Sequence, residues 1–174
     1  MKAWDAMHVL SPEACRPFSK DRTGLVICEG AAILVLEEWE HARAMRAALA
    51  DATIAPGDVD YVNAHGTGTR LNDKTEVAAL AEVLGAHLAA TPVSWTKSMI
   101  GHCLNAGGAI VLAACALALR HGILPPAMGF READPECAVD CVPNAARSAP
   151  IRVAMSNSFA FGGLNAVLLL RRAQ

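Results

Sequence analysis

The stretch Val59-Asp60-Tyr61-Val62-Asn63-Ala64-His65-Gly66-Thr67-Gly68-Thr69 decides how this chain is read. Apolar and aromatic residues over 59–64 predict a strand, and the glycines after His65 let the backbone turn sharply and let a ligand approach it. Downstream, Val77, Leu80, Val83 and Leu84 share one helical face, so Asn72 is expected to cap a helix from Asp73 to about Leu84, with Gly85 as its stop. A strand that leaves through glycine into a helix is the repeating unit of an α/β fold. Sheets of that kind gather their ligands at such strand ends.

The same alternation extends in both directions. Residues 31–36 are a continuous apolar run between Gly30 and Glu37 and predict a strand covered on both faces; residues 37–52 are helical in composition, and Pro56-Gly57 ends that helix. A further strand is expected over 91–96. The helix expected over 106–120 is apolar all round, which predicts a central position. Two last strands, over 151–156 and 164–170, are joined by Asn157-Ser158-Phe159-Ala160-Phe161-Gly162-Gly163, whose glycines suit an antiparallel reversal. The expected architecture is a mixed sheet flanked by helices.

Composition narrows the function. The chain has 174 residues, 53% of them apolar and 18% charged, which excludes general disorder. Fifteen basic against 17 acidic residues give no electrostatic footprint for nucleic acid, and 5% aromatics are few for base stacking. The longest apolar stretch, 106–119, contains two glycines and is short for a membrane span. The residues up to Pro12 hold no apolar core of signal-peptide length, so a cytoplasmic location is expected. Six cysteines without a tight spacing pattern are expected to be reduced, and Cys137 with Cys141 alone is too little for a metal site.

Two histidines stand in unusual company. His65 follows a strand and precedes two threonines; His102 closes Thr96-Lys97-Ser98-Met99-Ile100-Gly101-His102, five residues after Lys97. Taken singly, each has an ordinary explanation. A histidine beside glycine commonly bonds nearby backbone, a lysine is commonly a solvated charge, Asp73 and Glu76 suit any helix start, and Phe159 with Phe161 suits a core.

The joint pattern is not ordinary. Asn63-Ala64-His65-Gly66-Thr67-Gly68-Thr69, then Asp73 and Glu76, then Thr96-Lys97-Ser98 with Gly101-His102, then Asn157-Ser158-Phe159 with Phe161-Gly162-Gly163 and Asn165, resembles the C-terminal half of the β-ketoacyl-acyl carrier protein synthases. Upstream, the stretch from Arg16 to Gly24 and that from Glu29 to Glu37 look like the neighbouring part of the type II synthases. The resemblance implies a thiolase-like α/β fold, with a five-strand-type mixed sheet, of which this chain is the C-terminal half. It also implies a decarboxylative Claisen condensation on thioesters carried by the phosphopantetheine of acyl carrier protein, with no other cofactor and no metal. In it, His65 and His102 match the paired histidines that act on the malonyl group, Lys97 the lysine beside them, and Glu76 that lysine's ion-pair partner. Thr67 and Thr69 match hydroxyls that hold the phosphopantetheine arm; Phe161 matches the gating phenylalanine, with Phe159 and Gly162 in the same loop. Acyl carrier protein, a second copy, the complementary N-terminal half or an intact synthase are the partners implied.

The chain departs from this family in two places. None of its six cysteines has the family nucleophile's context, so the full condensation is not expected of this chain alone. Around residues 43–44 an internal deletion removes some tens of residues and a strand, dividing the chain into the tail of an N-terminal half (1–43) and a shortened C-terminal domain (44–174). Trp95, Asn105, Val111 and Ala160 also replace family residues. The leading expectation is a synthase fragment carrying the histidine half of the site; the alternatives are a non-catalytic partner subunit, as chain-length factors are, and a decayed gene remnant. A thiolase would need a late Cys-Gly motif, which the stretch from Ser156 to Phe159 does not supply.

Overall fold

The computed structural model describes residues 7, 9–11, 13–27 and 41–173. The strand expected over 31–36, and Cys28, lie outside them. The elements are α1 (His41–Asp51), β1 (Tyr61–Asn63), α2 (Arg70–Leu84), β2 (Val93–Ser94), α3 (Lys97–Ile100), α4 (Gly107–His121), β3 (Ile123–Leu124), β4 (Arg147–Ser148), β5 (Val153–Phe159) and β6 (Asn165–Arg171). The helix expected from Asp73 begins three residues earlier, so Asn72 lies inside α2 and Thr69 takes the cap position. The closing hairpin is shifted as well. Asn157, Ser158 and Phe159, expected in the turn, extend β5, because they continue the antiparallel ladder opposite Val167, Ala166 and Asn165.

The main sheet has the order β2-β1-β5-β6, with β1 parallel to both neighbours and β6 antiparallel to β5. It is the expected mixed, helix-flanked sheet, with four strands among the described residues. Period-two alternation sends Val62, Val153 and Met155 to one face and Tyr61 and Ala154 to the other. On the first face Met45 and Leu49 of α1 and Val77, Leu80 and Leu84 of α2 complete the larger core. On the second, Cys115, Ala118 and Leu119 of α4 pack with Leu124, Ile151 and Leu170.

The apolar helix is less enclosed than its composition predicts. Its inner stripe of Val111, Cys115, Ala118 and Leu119 is buried, while Ala113, Ala116 and Leu117 on the outer side are exposed. With the 3₁₀ turn Leu104–Ala106 it makes eighteen residues long and apolar enough to cross a membrane by length and composition alone, but its packing against β5 and β6 is that of a core helix. Helix α1 runs without a break across 43–44, the position of the expected deletion.

An irregular N-terminal arm, 9–27, closes over the sheet ends. Leu25 N–H donates to Val9 O, and His102 N–H donates to Val26 O at 2.6 Å. Phe18 sits at φ +61, a conformation unfavourable for a bulky residue, and is held there by a bond from its N–H to Asp73 Oδ2 at 2.7 Å and by its ring against Trp95.

Candidate active site

The end of β1 carries the chain into the site. Ala64 N–H still bonds Ser94 O, and His65 follows, 7% exposed. Gly66 then turns at φ +44, where a Cβ would stand 2.7 Å from Trp95 Cβ. Only glycine leaves room for the His65 loop to lie on the indole. Beneath this turn, Glu76 of α2 is fully buried and accepts from His65 N–H (2.8 Å), Gly66 N–H (3.0 Å) and the Asn157 amide (3.0 Å). The expected Glu76–Lys97 ion pair is not formed. Three N–H donors occupy the carboxylate, and it reaches Lys97 only through space. Burial raises the Glu76 carboxyl, and its three bonds oppose that rise.

Lys97 enters from the other parallel strand, just beyond β2, and is 3% exposed. Its Nζ donates to His65 O at 2.5 Å and lies 3.3 Å from His65 Nδ1. The ring of His102 meets that of His65 edge to face, with centroids 5.7 Å apart, and Leu104 N–H donates to His102 Nδ1 at 3.1 Å. An ammonium and a backbone N–H have only protons to give, so both imidazoles accept at Nδ1 and carry their proton at Nε2. Burial, with Lys97 next, lowers His65 well below the ordinary range and His102 to about 4. Burial lowers Lys97 to about 8, with Glu76 opposing. At neutral pH the centre therefore holds two uncharged N–H donors beside a buried cation.

Phe159 lies at the other side of His65, with ring centroids 5.6 Å apart, and stacks on His41 at 3.8 Å. Phe161, expected as the gate, is 65% exposed on the turn with Gly162. Thr67 and Thr69 hydroxyls lie 3.0 Å apart on the loop that follows His65. The structure thus gathers His65, His102, Lys97, Glu76 and Phe159 and flanks them with the two threonines, with Phe161 and Gly162 on the turn after β5.

Three contributors were given no site role from the sequence, although Asp73 and Asn157 stand in the motifs quoted above. Asp73 is fully buried, accepts from Phe18 N–H, Gly68 N–H (3.2 Å) and Asn72, and lies 3.6 Å from Arg22 Nε, so it ties the arm to the glycine turn. Burial raises its carboxyl to about 6. Its spacing of three from Glu76 was the available signal, since it puts both acids on one helical face. For Asn157 the signal was its place in the Asn157-Ser158-Phe159 motif; His41 gave none, because only the fold brings it against Phe159.

Residues 29–131 match the family model described as "Beta-ketoacyl synthase, C-terminal domain". The chain is 45% identical to nodulation protein E of Rhizobium sp. (strain N33) over 204 positions, covering 99% of this chain and 51% of that protein. That alignment is longer than the chain, so the relative carries residues within the matched region that this chain lacks. Among solved structures, the ishigamide ketosynthase/chain length factor superposes with a TM-score of 0.91 at 36% identity, over 99% of this chain and 50% of the other. A type II polyketide acyl carrier protein in complex with its ketosynthase gives 0.91 at 29% identity, over 99% and 52%. The chain spans about half the length of the relatives it matches. Its motifs, its half of their fold and the family match together place this chain in the β-ketoacyl synthase family, as a C-terminal domain of thiolase-like fold.

Proposed function

We propose that this chain carries the decarboxylating half of a condensing acyltransferase and acts on a malonyl thioester borne by the phosphopantetheine of acyl carrier protein. The observation that carries this reading is the pair of imidazoles held as Nε2–H donors. When the malonyl carboxylate leaves as carbon dioxide, the electrons of the broken carbon–carbon bond pass into the thioester and its oxygen becomes an enolate. Two neutral N–H donors and the buried Lys97 charge favour that oxygen more than the ground-state carbonyl, an effect commonly worth ~10²–10³ in rate per donor. In this reading the Thr67 and Thr69 hydroxyls, 3.0 Å apart on the loop after His65, hold the phosphopantetheine arm, and Phe161 is the gating residue. Without an acyl-enzyme the carbanion takes a proton from water and leaves as an acetyl thioester.

Three of the described cysteines sit where a nucleophilic thiolate is disfavoured. Burial raises the thiols of Cys15 and Cys137 to about 11 and that of Cys115 to about 12, the opposite of an activated thiolate. In this reading the chain lacks the condensation step in isolation, because none of its six cysteines has the family nucleophile's context. It belongs in a cytoplasmic fatty-acid, nodulation or polyketide type of synthesis. Malonyl-acyl carrier protein incubated with the purified chain is expected to release carbon dioxide and yield acetyl-acyl carrier protein. His65→Asn with His102→Asn should abolish both. Undiminished release in that double variant, or robust condensation by the native chain with added acyl carrier, overturns the reading.

A second reading has a specific support, the chain-length-factor complexes among the structural neighbours. In it the chain is a non-catalytic partner of an intact synthase. Co-purification with such a synthase, unaltered by the double histidine variant and with no carbon dioxide release, would favour it.

A further inference from the structure

Where the backbone ladder between β1 and β2 ends, side chains continue it. Ala64 N–H donates to Ser94 O at 2.8 Å, and past that bond the two chains part, one into the His65 turn and the other into α3. The next link is made by Asn63 and Thr96. The Asn63 amide N–H₂ donates to Thr96 Oγ1 at 2.8 Å, and Thr96 N–H donates to Asn63 Oδ1 at 3.4 Å. Both residues are buried, Asn63 completely. One step back, the Tyr61 and Ser94 hydroxyls bond each other at 2.7 Å between the same strands.

Thr96 makes this link in place of a local one. It stands at the cap position of α3, where a threonine hydroxyl ordinarily accepts from a backbone N–H of the first turn. No such side-chain bond is formed, and the hydroxyl accepts instead from Asn63, 33 residues away in the chain. A buried amide costs free energy unless its bonds are made, so each partner holds the other in place.

The pair sits directly behind the two groups that must meet. Asn63 is two residues before His65, and Thr96 immediately precedes Lys97. Lys97 Nζ reaches His65 O at 2.5 Å and lies 3.3 Å from His65 Nδ1, so a slip of about 1 Å between the strand ends would lose one contact or the other. We propose that Asn63 and Thr96 are positioning residues, whose paired bonds fix the end of β1 against the start of α3 and so hold the Lys97 ammonium on His65. Both act through Lys97 and His65, not on the thioester itself. The consequence for turnover rests on the decarboxylating reading above; the consequence for His65 does not.

The test is nitrogen NMR of the full chain with labelled histidine, beside carbon dioxide release from malonyl-acyl carrier protein. Thr96→Val keeps the shape of the side chain and removes its oxygen; Thr96→Ser keeps the oxygen. Thr96→Val is expected to cost His65 its dominant Nε2–H tautomer while His102, held by Leu104, keeps its own, and to slow carbon dioxide release roughly ten- to a hundredfold. Thr96→Ser should behave as the native chain in both. A pair that only stabilised the fold would lower the urea midpoint and leave the His65 tautomer native in the folded Thr96→Val chain, and that result overturns the proposal. Should Thr96→Val not fold, Thr96→Cys, whose sulfur is a weaker acceptor, is expected to show the same His65 change in part, and a native tautomer there overturns the proposal equally. A native chain that releases no carbon dioxide removes the decarboxylating reading alone, because the His65 response to these variants decides the positioning role without it.

Discussion

Asp73→Asn separates two opposing titrations in the buried site. The Asp73 carboxyl is raised from 3.8 to about 6, chiefly by burial. At about 1.4 kcal/mol per pKa unit this makes its ionisation cost about 3 kcal/mol in the folded chain. The folded state holds that proton more tightly than the unfolded state, so this stability is full below about pH 4 and is lost as pH rises to about 6. His102 acts in reverse. Its folded value is lowered from 6.5 to about 4, so the folded state prefers the neutral ring, and about 3 kcal/mol is gained as pH rises from about 4 to 6.5. Glu76 follows the direction of Asp73, and His65 that of His102. The native chain should therefore show a shallow stability profile in this range. In Asp73→Asn the downward contribution of Asp73 disappears, and unfolding free energy should climb with pH. The substitution also carries a pH-independent loss of about 1–3 kcal/mol, because asparagine has one accepting oxygen where Asp73 uses two, and its N–H₂ would face the N–H of Phe18 or of Gly68. Urea unfolding followed by tryptophan fluorescence at pH 4, 5, 6 and 7 isolates the difference. A gap between variant and native chain that stays constant within about 0.5 kcal/mol across that series would refute the assignment of a buried, clamped Asp73.

Three further outcomes follow from the site. Gly66→Ala drives a Cβ to 2.7 Å from Trp95 at a positive φ, and is expected to destabilise by about 2–4 kcal/mol with a broadened or shifted His65 resonance; a native-like melting temperature would count against the close approach. Lys97→Met removes the donor at His65 Nδ1 and the charge that adds to burial in lowering His65, so nitrogen NMR should find the His65 pKa partly raised and its Nε2–H tautomer no longer dominant, while the tautomer of His102 persists because Leu104 still bonds it. Glu76→Ala leaves the N–H groups of His65 and Gly66 and the Asn157 amide without their acceptor; a loss of about 3–6 kcal/mol is expected in chemical denaturation, against less than about 1 if the carboxylate were a solvated helix-start charge.

Strand, glycine turn and helix around His65 were legible because each is encoded within a few residues: apolar alternation, absent side chains at 66 and 68, and a 3.6-residue apolar stripe. The helix over 107–121 was legible for the same reason. Its enclosure was not, since composition reports that a helix can be buried but says nothing of how much surrounding chain there is to bury it. The hairpin limits were missed because Asn157 and Ser158 are turn-prone by type. The ladder opposite β6 overrides that preference, and it is a contact between strands.

At the site, the sequence by itself singled out the candidates: His65, His102, Lys97 and Glu76 stand in motifs whose order and spacing resemble one family, and the structure sets them together. The tertiary structure alone decided how they are wired. Glu76 binds backbone N–H groups rather than Lys97, Lys97 binds His65, and Asp73 holds the N-terminal arm, because hydrogen-bond partners far apart in the chain are chosen by whichever donor the packed sheet ends bring within about 3 Å of a buried acceptor. Only the sheet order revealed that, among the described residues, β6 pairs with β5 alone. Pairing across strands is a long-range choice, and nothing in a seven-residue apolar strand records whether one neighbour or two will lie beside it.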